Sequence, residues 1–264
     1  ITCPINVTIN CPGDTTVATR GIAMATDGCS TPVITYTNMV TPGSCAGAFT
    51  IMRTWRATDA CGNFSTCIQT IVVQDTTRPV ITCPINATIN CPGDTTVAAR
   101  GIATATDGCS TPVITYTNMV TPGACAGAFT IMRTWRATDA CGNFSTCIQT
   151  IVVQDTTKPV ITITPLGLTV SCIEDTLLSN TGLLTATDEC NMPPNITYSD
   201  LIRDSICING LTIDRLWVVT DFCGNSATYT QTVIVNDIIA PTFVNVPIYL
   251  TVSCAEQVPG RAVV

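Results

Sequence analysis

The sequence predicts an all-β fold: a tandem array of immunoglobulin-like β-sandwich modules joined by short proline-containing linkers. Three observations carry this. Residues 81–160 repeat residues 1–80 with only five differences, Val7/Ala87, Thr19/Ala99, Met24/Thr104, Ser44/Ala124 and Arg78/Lys158, and a third, diverged copy follows. Each copy is rich in Thr, Val and Ile, punctuated by Gly and Pro at intervals of about 8–12 residues, with no helix signals. Finally, 17 cysteines supply the staples that domains this small need.

In the first copy, strands are expected at Ile5–Asn10, Thr16–Ala25, Val33–Val40, Phe49–Thr58 and Ser65–Gln74. Alternation along the fourth puts Phe49, Ile51, Trp55 and Ala57 on one face, with Thr50, Thr54 and Arg56 on the other. Cys61-Gly62-Asn63 then makes the hairpin turn. The expected modules are residues 1–78, 79–158 and 159–240, with 241–264 opening a fourth. The junctions at Asp75–Pro79 and Asp155–Pro159 each carry a proline, which fixes φ and should hold neighbours stiffly.

Composition narrows the function. Cysteine at this density without a single histidine favours disulfides over zinc, and therefore an oxidising, extracellular compartment. The net charge of −7, with Lys158 the only lysine, leaves no basic stripe for nucleic acid. No run of 18 apolar residues forms a membrane span. Ile1 sits at a repeat start with no charged segment before it, so any signal peptide is expected outside this segment. Without histidine, Ser–His and Cys–His nucleophile pairs are excluded. Near-identical duplicated copies also suit reach and multivalency better than an asymmetric catalytic pocket, so no enzyme is expected.

The third copy suggests how cysteines pair. Where the first two copies have Cys3 and Cys67, or Cys83 and Cys147, it has Ile163 and Tyr229. Joint loss implies that the members of each pair are bonded to each other. In a sandwich, Cys11 and Cys45 fall at the pole far from the preceding module, and Cys29 and Cys61 in the two near-pole loops. The expected bonds are Cys3–Cys67, Cys11–Cys45, Cys29–Cys61, Cys83–Cys147, Cys91–Cys125, Cys109–Cys141, Cys172–Cys207 and Cys190–Cys223, with Cys254 unpaired. Each is worth about 4 kcal/mol in the chain-entropy description. On this scheme the stretch from Cys67 to Cys83 stays extensible, and the third copy, lacking one bridge, is the most compliant.

Each near pole also presents two aspartates to the last residue of the preceding module. Asp75 with Asp107 and Asp139, and Asp155 with Asp188 and Asp221, are candidate calcium cages, because calcium takes six to eight oxygens in flexible geometry. The alternative is that these aspartates cap turns. Arg53, Arg133 and Arg215 each precede a Trp by two residues, which suggests stacking on indole or pairing with a loop aspartate. Thr15, Thr76, Thr95, Thr156, Thr176 and Ser205 follow aspartate in strings resembling the Asp-Ser/Thr acceptor pattern of bacterial O-glycosylation. Asn6, Asn86 and Asn195 would be N-glycan acceptors only in a eukaryotic host.

The strings Trp-x-Ala-Thr-Asp-Ala-Cys-Gly-Asn at 55–63, Cys-x-Gln-Thr-Ile-x-Val-x-Asp-Thr-Thr at 67–77 and Pro-Val-Ile-Thr-Cys-Pro at 79–84 resemble HYR-like repeats. These are immunoglobulin-like modules arrayed in very large surface proteins and gliding-type adhesins of Bacteroidota. The third copy departs with Trp-Val-Val-Thr-Asp-Phe-Cys-Gly-Asn and two lost cysteines. The resemblance implies export to the bacterial cell surface, through a type IX system, and a stalk or filament role. Expected partners are further repeats or copies of itself. The competing expectation is a ligand-binding adhesin whose repeated faces hold glycan or a surface, which an exposed aromatic platform in each copy would favour. A Thr-rich ice- or mineral-binding face is more distant, since Thr35-Tyr36-Thr37 supplies only one Thr-x-Thr per module.

Overall fold

The structure, a computed structural model, describes residues 1–171, 173–190, 192–207, 210–236, 240 and 242. The first copy contains β1 (Val7–Asn10), β2 (Val33–Pro42), β3 (Phe49–Thr58) and β4 (Phe64–Gln74). They form one sheet in the order β1-β4-β3-β2, with β1 parallel to β4 and the other pairs antiparallel. The second copy contains β5 (Val80–Thr82), β6 (Ala87–Asn90), β7 (Thr104–Thr106), β8 (Val113–Pro122), β9 (Phe129–Thr138) and β10 (Phe144–Gln154). Here β6-β10-β9-β8 repeat the first sheet, and β5 pairs antiparallel with β7. The third copy contributes β11 (Val160–Ile163), β12 (Leu168–Val170), β13 (Thr185–Thr187), β14 (Asn195–Cys207), β15 (Gly210–Thr220) and β16 (Ser226–Asn236). It forms the same pair of sheets, β12-β16-β15-β14 and β11-β13.

The opening strand of a copy is therefore shared between two sheets. Pro84 and Pro165, which have no N–H to give a ladder, lie between its halves. The fold is all-β, and no helix among the described residues is long and apolar enough to cross a membrane.

One expected strand is absent. Thr16–Ala25 instead contains a single helical turn, α1 (Val17–Arg20), followed only by an isolated bridge between Thr2 and Met24. The Asp14 side chain accepts the Thr16 N–H at 2.7 Å, and Gly21, at φ +89°, donates its N–H to the Val17 carbonyl at 2.9 Å. Short polar side chains bonding their own backbone compete with a ladder, and here they win. The Asp14 carboxyl is held below the usual range, chiefly by the Thr19 hydroxyl and then by the Thr16 N–H. α2 (Val97–Arg100) and α3 (Leu178–Thr181) repeat the turn. Asp94 is likewise held low, by the Thr96 N–H, with Ala99 in place of Thr19.

The packed layer of the first copy is Ile51, Ile71 and Val73, joined by Val7, Ile9 and Phe49. Trp55, Trp135 and Trp217 are each 2 % exposed. Arg53, Arg133 and Arg215 are buried on the same strands. Gln69, Gln149 and Gln231 are fully buried, in line with the buried Val73, Val153 and Val235 of the same strands. Gln149 Nε2 donates to the carbonyls of Ile85 at 3.0 Å and Arg100 at 2.8 Å, tying the split first strand and the end of α2 to β10. Gln149→Ala removes the side-chain donor from the Ile85 and Arg100 carbonyls and leaves a cavity at a fully buried position. It should lower unfolding free energy by about 2–5 kcal/mol, read by thermal or denaturant melting.

In the third copy Tyr229 stands at the position of Cys67 and Cys147, and its hydroxyl donates to the Pro165 carbonyl at 2.9 Å. A hydrogen bond there ties the last strand to the first segment, as a disulfide does in the other copies.

By compactness the chain divides into two units. One is Ile1–Lys158 with two loops of the third copy, Asp188–Met192 and Asp221–Asn225; the other is Pro159–Thr187, Pro193–Thr220 and the chain from Ser226 on.

Candidate functional site: the junctions between repeats

Cys3–Cys67 and Cys83–Cys147 are bonded within their copies, with Cα separations of 5.8 and 5.9 Å. Every other bond among the described residues runs from one copy to the next. Cys11 is bonded to Cys109 and Cys45 to Cys141. Cys91 is bonded to Cys190 and Cys125 to Cys223, the last two of these four acceptors lying on the third-copy loops that belong to the first unit. The expected pairs Cys11–Cys45, Cys29–Cys61, Cys91–Cys125, Cys109–Cys141 and Cys190–Cys223 are corrected accordingly. Cys29 and Cys61 are free and exposed. Cys172, the side chain of Cys207 and Cys254 lie outside the described residues, so the expected Cys172–Cys207 bond does too.

The reason is geometric. Cys11 sits at the end of β4, its N–H donating to Gln74 at 2.8 Å, while Cys61 lies in the turn before β4 begins. The two classes of cysteine therefore occupy opposite ends of a copy. In a tandem repeat, pairing within a copy and pairing shifted by one copy use the same residues in the same numbers. Only the approach of consecutive copies breaks that tie.

Two loops build the receiving side of the first junction. In one, the Asp107 carboxylate accepts the N–H groups of Cys109 at 2.9 Å and Ser110 at 3.1 Å. In the other, Asp139 Oδ1 accepts from the N–H groups of Cys141 and Asn143, each at 2.8 Å. The Ala140 N–H donates to Ser110 Oγ at 3.1 Å and locks the loops together. Asn143 Nδ2 donates to the Asp75 carbonyl at 3.1 Å, reaching back to the last residue of the first copy. On the giving side, Gly47 has φ +89°, and a Cβ there would lie 2.9 Å from Cys109 Cβ and 3.0 Å from its carbonyl oxygen. Gly127 approaches Cys190 in the same way, at 3.1 and 3.2 Å. Both the left-handed backbone and the tight approach demand glycine.

The acidic residues gather beside these bonds. Asp155, Asp188 and Asp221 place carboxylate oxygens within 4.8 Å of one another. At the first junction Asp75 and Asp107 converge to the same limit with Cys109 Sγ, whose sulfur is already in a disulfide. Asp139 is not part of that group, although its turn bonds to Cys141 and Asn143 match those of Asp221 to Cys223 and Asn225. Asp75 is 7 % exposed, and its Oδ2, like those of Asp107 and Asp188, is buried with no hydrogen-bond partner. Burial, then the neighbouring Asp188 and Asp221 carboxylates, push the Asp155 carboxyl above its usual range. Converging oxygens with unused lone pairs fit a hard divalent cation.

The other expected sites are scattered. Thr76 and Thr156 are exposed, but their hydroxyls donate to Asn10 and Asn90, both at 2.9 Å. Thr15, Thr95 and Thr176 are half-buried, and the Ser205 side chain lies outside the described residues. Arg53 lies over the Tyr36 ring, 5.1 Å from its centroid, and bonds Asn38 and the Thr15 carbonyl rather than an indole or a loop aspartate. Arg133 repeats this with Tyr116, and Arg215 with Tyr198 while pairing with Asp200. Tyr36, Tyr116 and Tyr198 are nearly half-exposed, a recurring ring that the sequence does not single out, because the exposure of a Tyr between two Thr or Ser depends on what packs against it.

No protein-family model and no curated protein matches the chain. Among solved structures it is similar to the protocadherin gammaB4 extracellular domain at 12% identity and a TM-score of 0.32, covering 77% of this chain and 43% of that one. Drosophila N-cadherin EC1-4 aligns at 12% identity and a TM-score of 0.30, covering 88% of this chain and 73% of that one. The human desmocollin-1 ectodomain aligns at 13% identity and a TM-score of 0.28, covering 90% and 61% respectively. The chain thus spans less than half of the protocadherin's length.

Proposed function

We propose that this chain is a load-carrying structural segment of an extracellular filament or adhesin stalk, built from modules 1–78, 79–158 and 159–240 and continued by 241–264. The observation that carries this reading is the set of four disulfides that join each copy to the next. Covalent bonds between neighbours serve tension, whereas binding a ligand requires only that each module fold. The resemblance to HYR-like repeats supports a bacterial cell-surface location and type IX export, and further repeats are the natural partners. Calcium is the expected ion at Asp155, Asp188 and Asp221, and at Asp75 with Asp107.

The test is a peptide map of non-reduced protein by mass spectrometry. Cross-linked peptides should join Cys11 to Cys109, Cys45 to Cys141, Cys91 to Cys190 and Cys125 to Cys223. Bonds of Cys11 to Cys45 and Cys91 to Cys125 would return the chain to independent beads and remove the argument.

The second reading, a glycan- or surface-binding array, is favoured by the exposed Tyr36, Tyr116 and Tyr198 rings. Substituting all three by Ala should leave a stalk's mechanics unchanged but abolish adhesion to a glycan surface if that reading holds.

A further inference from the structure

We propose that the edge strands β2 and β8 pair with the same strands of a second copy of this chain, antiparallel and about a two-fold axis, joining two sheets side by side. β2 closes one side of the β1-β4-β3-β2 sheet, and β8 the same side of its counterpart. Each is ten residues long and follows its inner neighbour, β3 or β9, without a register shift. Among the described residues neither has a strand on its other side. A straight strand of that length presents about 34 Å of backbone N–H and C=O groups, a template for another extended chain.

Both strands read Val-Ile-Thr-Tyr-Thr-Asn-Met-Val-Thr-Pro, with no charge and with proline only at the end. Val33, Tyr36, Met39 and Val40 are between 47 and 66 % exposed. The third copy shows how such an edge is closed off. Its edge strand, β14, shifts register twice, between Ile202 and Asp204 and between Ser205 and Cys207. It also carries Asp200 and Arg203, the latter paired with Asp214. Bulges and charges of this kind keep an edge from pairing, and β2 and β8 have neither.

The pattern of side chains selects the occupant. Ile34, Tyr36, Asn38 and Val40 stand opposite the buried Ala57, Trp55, Arg53 and Ile51 and so lie on the core side of the sheet. Val33, Thr35, Thr37, Met39 and Thr41 lie on the other side. Antiparallel self-pairing centred on Thr37 sets Tyr36 opposite Asn38, Ile34 opposite Val40, Thr35 opposite Met39 and Val33 opposite Thr41. Every pair keeps its side of the sheet, no charge is buried, and the exposed apolar side chains gain cross-strand neighbours. With a net charge of −7, two copies repel at long range, and an uncharged edge is where they approach at least cost. The contact is isologous, and two four-stranded sheets become one of eight strands, an ordinary size. It makes no use of the disulfides between copies.

The test is analytical ultracentrifugation of the whole chain over a range of concentrations, its free thiols alkylated, with hydrogen exchange read in parallel. The mass should rise toward twice that of the monomer or beyond, and amides of β2 and β8 should exchange about ten-fold more slowly in the associated fraction. T37K/T117K sets like charges against each other at the centre of the seam. That variant should stay monomeric with an unchanged melting temperature, since both threonines are exposed. T66K/T146K adds the same charges to exposed positions on the same face, but on the inner strands β4 and β10, and should associate like the parent. A chain that is monomeric at every concentration would overturn the proposal. So would association that survives T37K/T117K, association abolished equally by T66K/T146K, or slowed exchange confined to other strands.

Discussion

Pulled between residues 11 and 223 with its disulfides intact, the chain should pay out no more than ~55 Å of backbone, against ~700 Å after reduction. The short route runs from Cys11 across to Cys109, along the chain to Cys125, and across to Cys223. A second covalent route passes from Cys45 to Cys141, on to Cys147, across to Cys83, and from Cys91 to Cys190. Cutting the first with C125S/C223S should raise the limit to ~170 Å, since the path then returns through Cys91 and Cys190. Pairing within copies would instead give ~230 Å for the unmodified protein. Force spectroscopy with attachment at those residues separates the cases, and a length near ~230 Å for the unmodified protein would defeat the bridged arrangement.

Calcium should raise the melting temperature at neutral pH by on the order of 10 °C when present at a hundred times its dissociation constant. Chelator should reverse the shift. The carboxylates of Asp155, Asp188 and Asp221 repel one another, and calcium removes that repulsion. The sign with pH follows from the raised Asp155 carboxyl. The folded state binds that proton more tightly than the unfolded state. In chelator, its contribution to stability is therefore full below the ordinary value of 3.8 and is lost as pH rises through the raised one. Asp155→Asn with Asp188→Asn should make the ion-free protein more stable at pH 7 and insensitive to calcium. Identical melting with calcium and with chelator at neutral pH would eliminate the site.

The hydrophobic alternation made most strands readable in advance. Phe49, Ile51, Trp55 and Ala57 mark β3 because burial on one face imposes a period of two. The same cue misled at Thr16–Ala25, where Asp14 and Gly21 shape a helical turn by local bonds that periodicity does not register. Joint replacement by Ile163 and Tyr229 identified the Cys3 and Cys67 pair, because it changes both members at once. The remaining four cysteines are kept in all three full copies, so joint replacement could not distinguish partners within a copy from partners across a junction. The acidic triad of Asp155, Asp188 and Asp221 was legible from its place at the poles, but the sequence carries nothing to separate Asp139 from its counterpart Asp221, since both make the same bonds within their turns. Buried Gln149 was not legible among the polar Ser145, Thr146 and Thr150 of its strand, since its role is to answer two carbonyls brought in by distant segments.

The overlapping bonds also change what a single protease nick can do. Wherever one peptide bond is cut between Cys3 and Cys223, at least one disulfide still spans the break and the two fragments stay joined. Damage must accumulate at several places before the thread parts, so a fibre made this way wears gradually instead of snapping at its first wound.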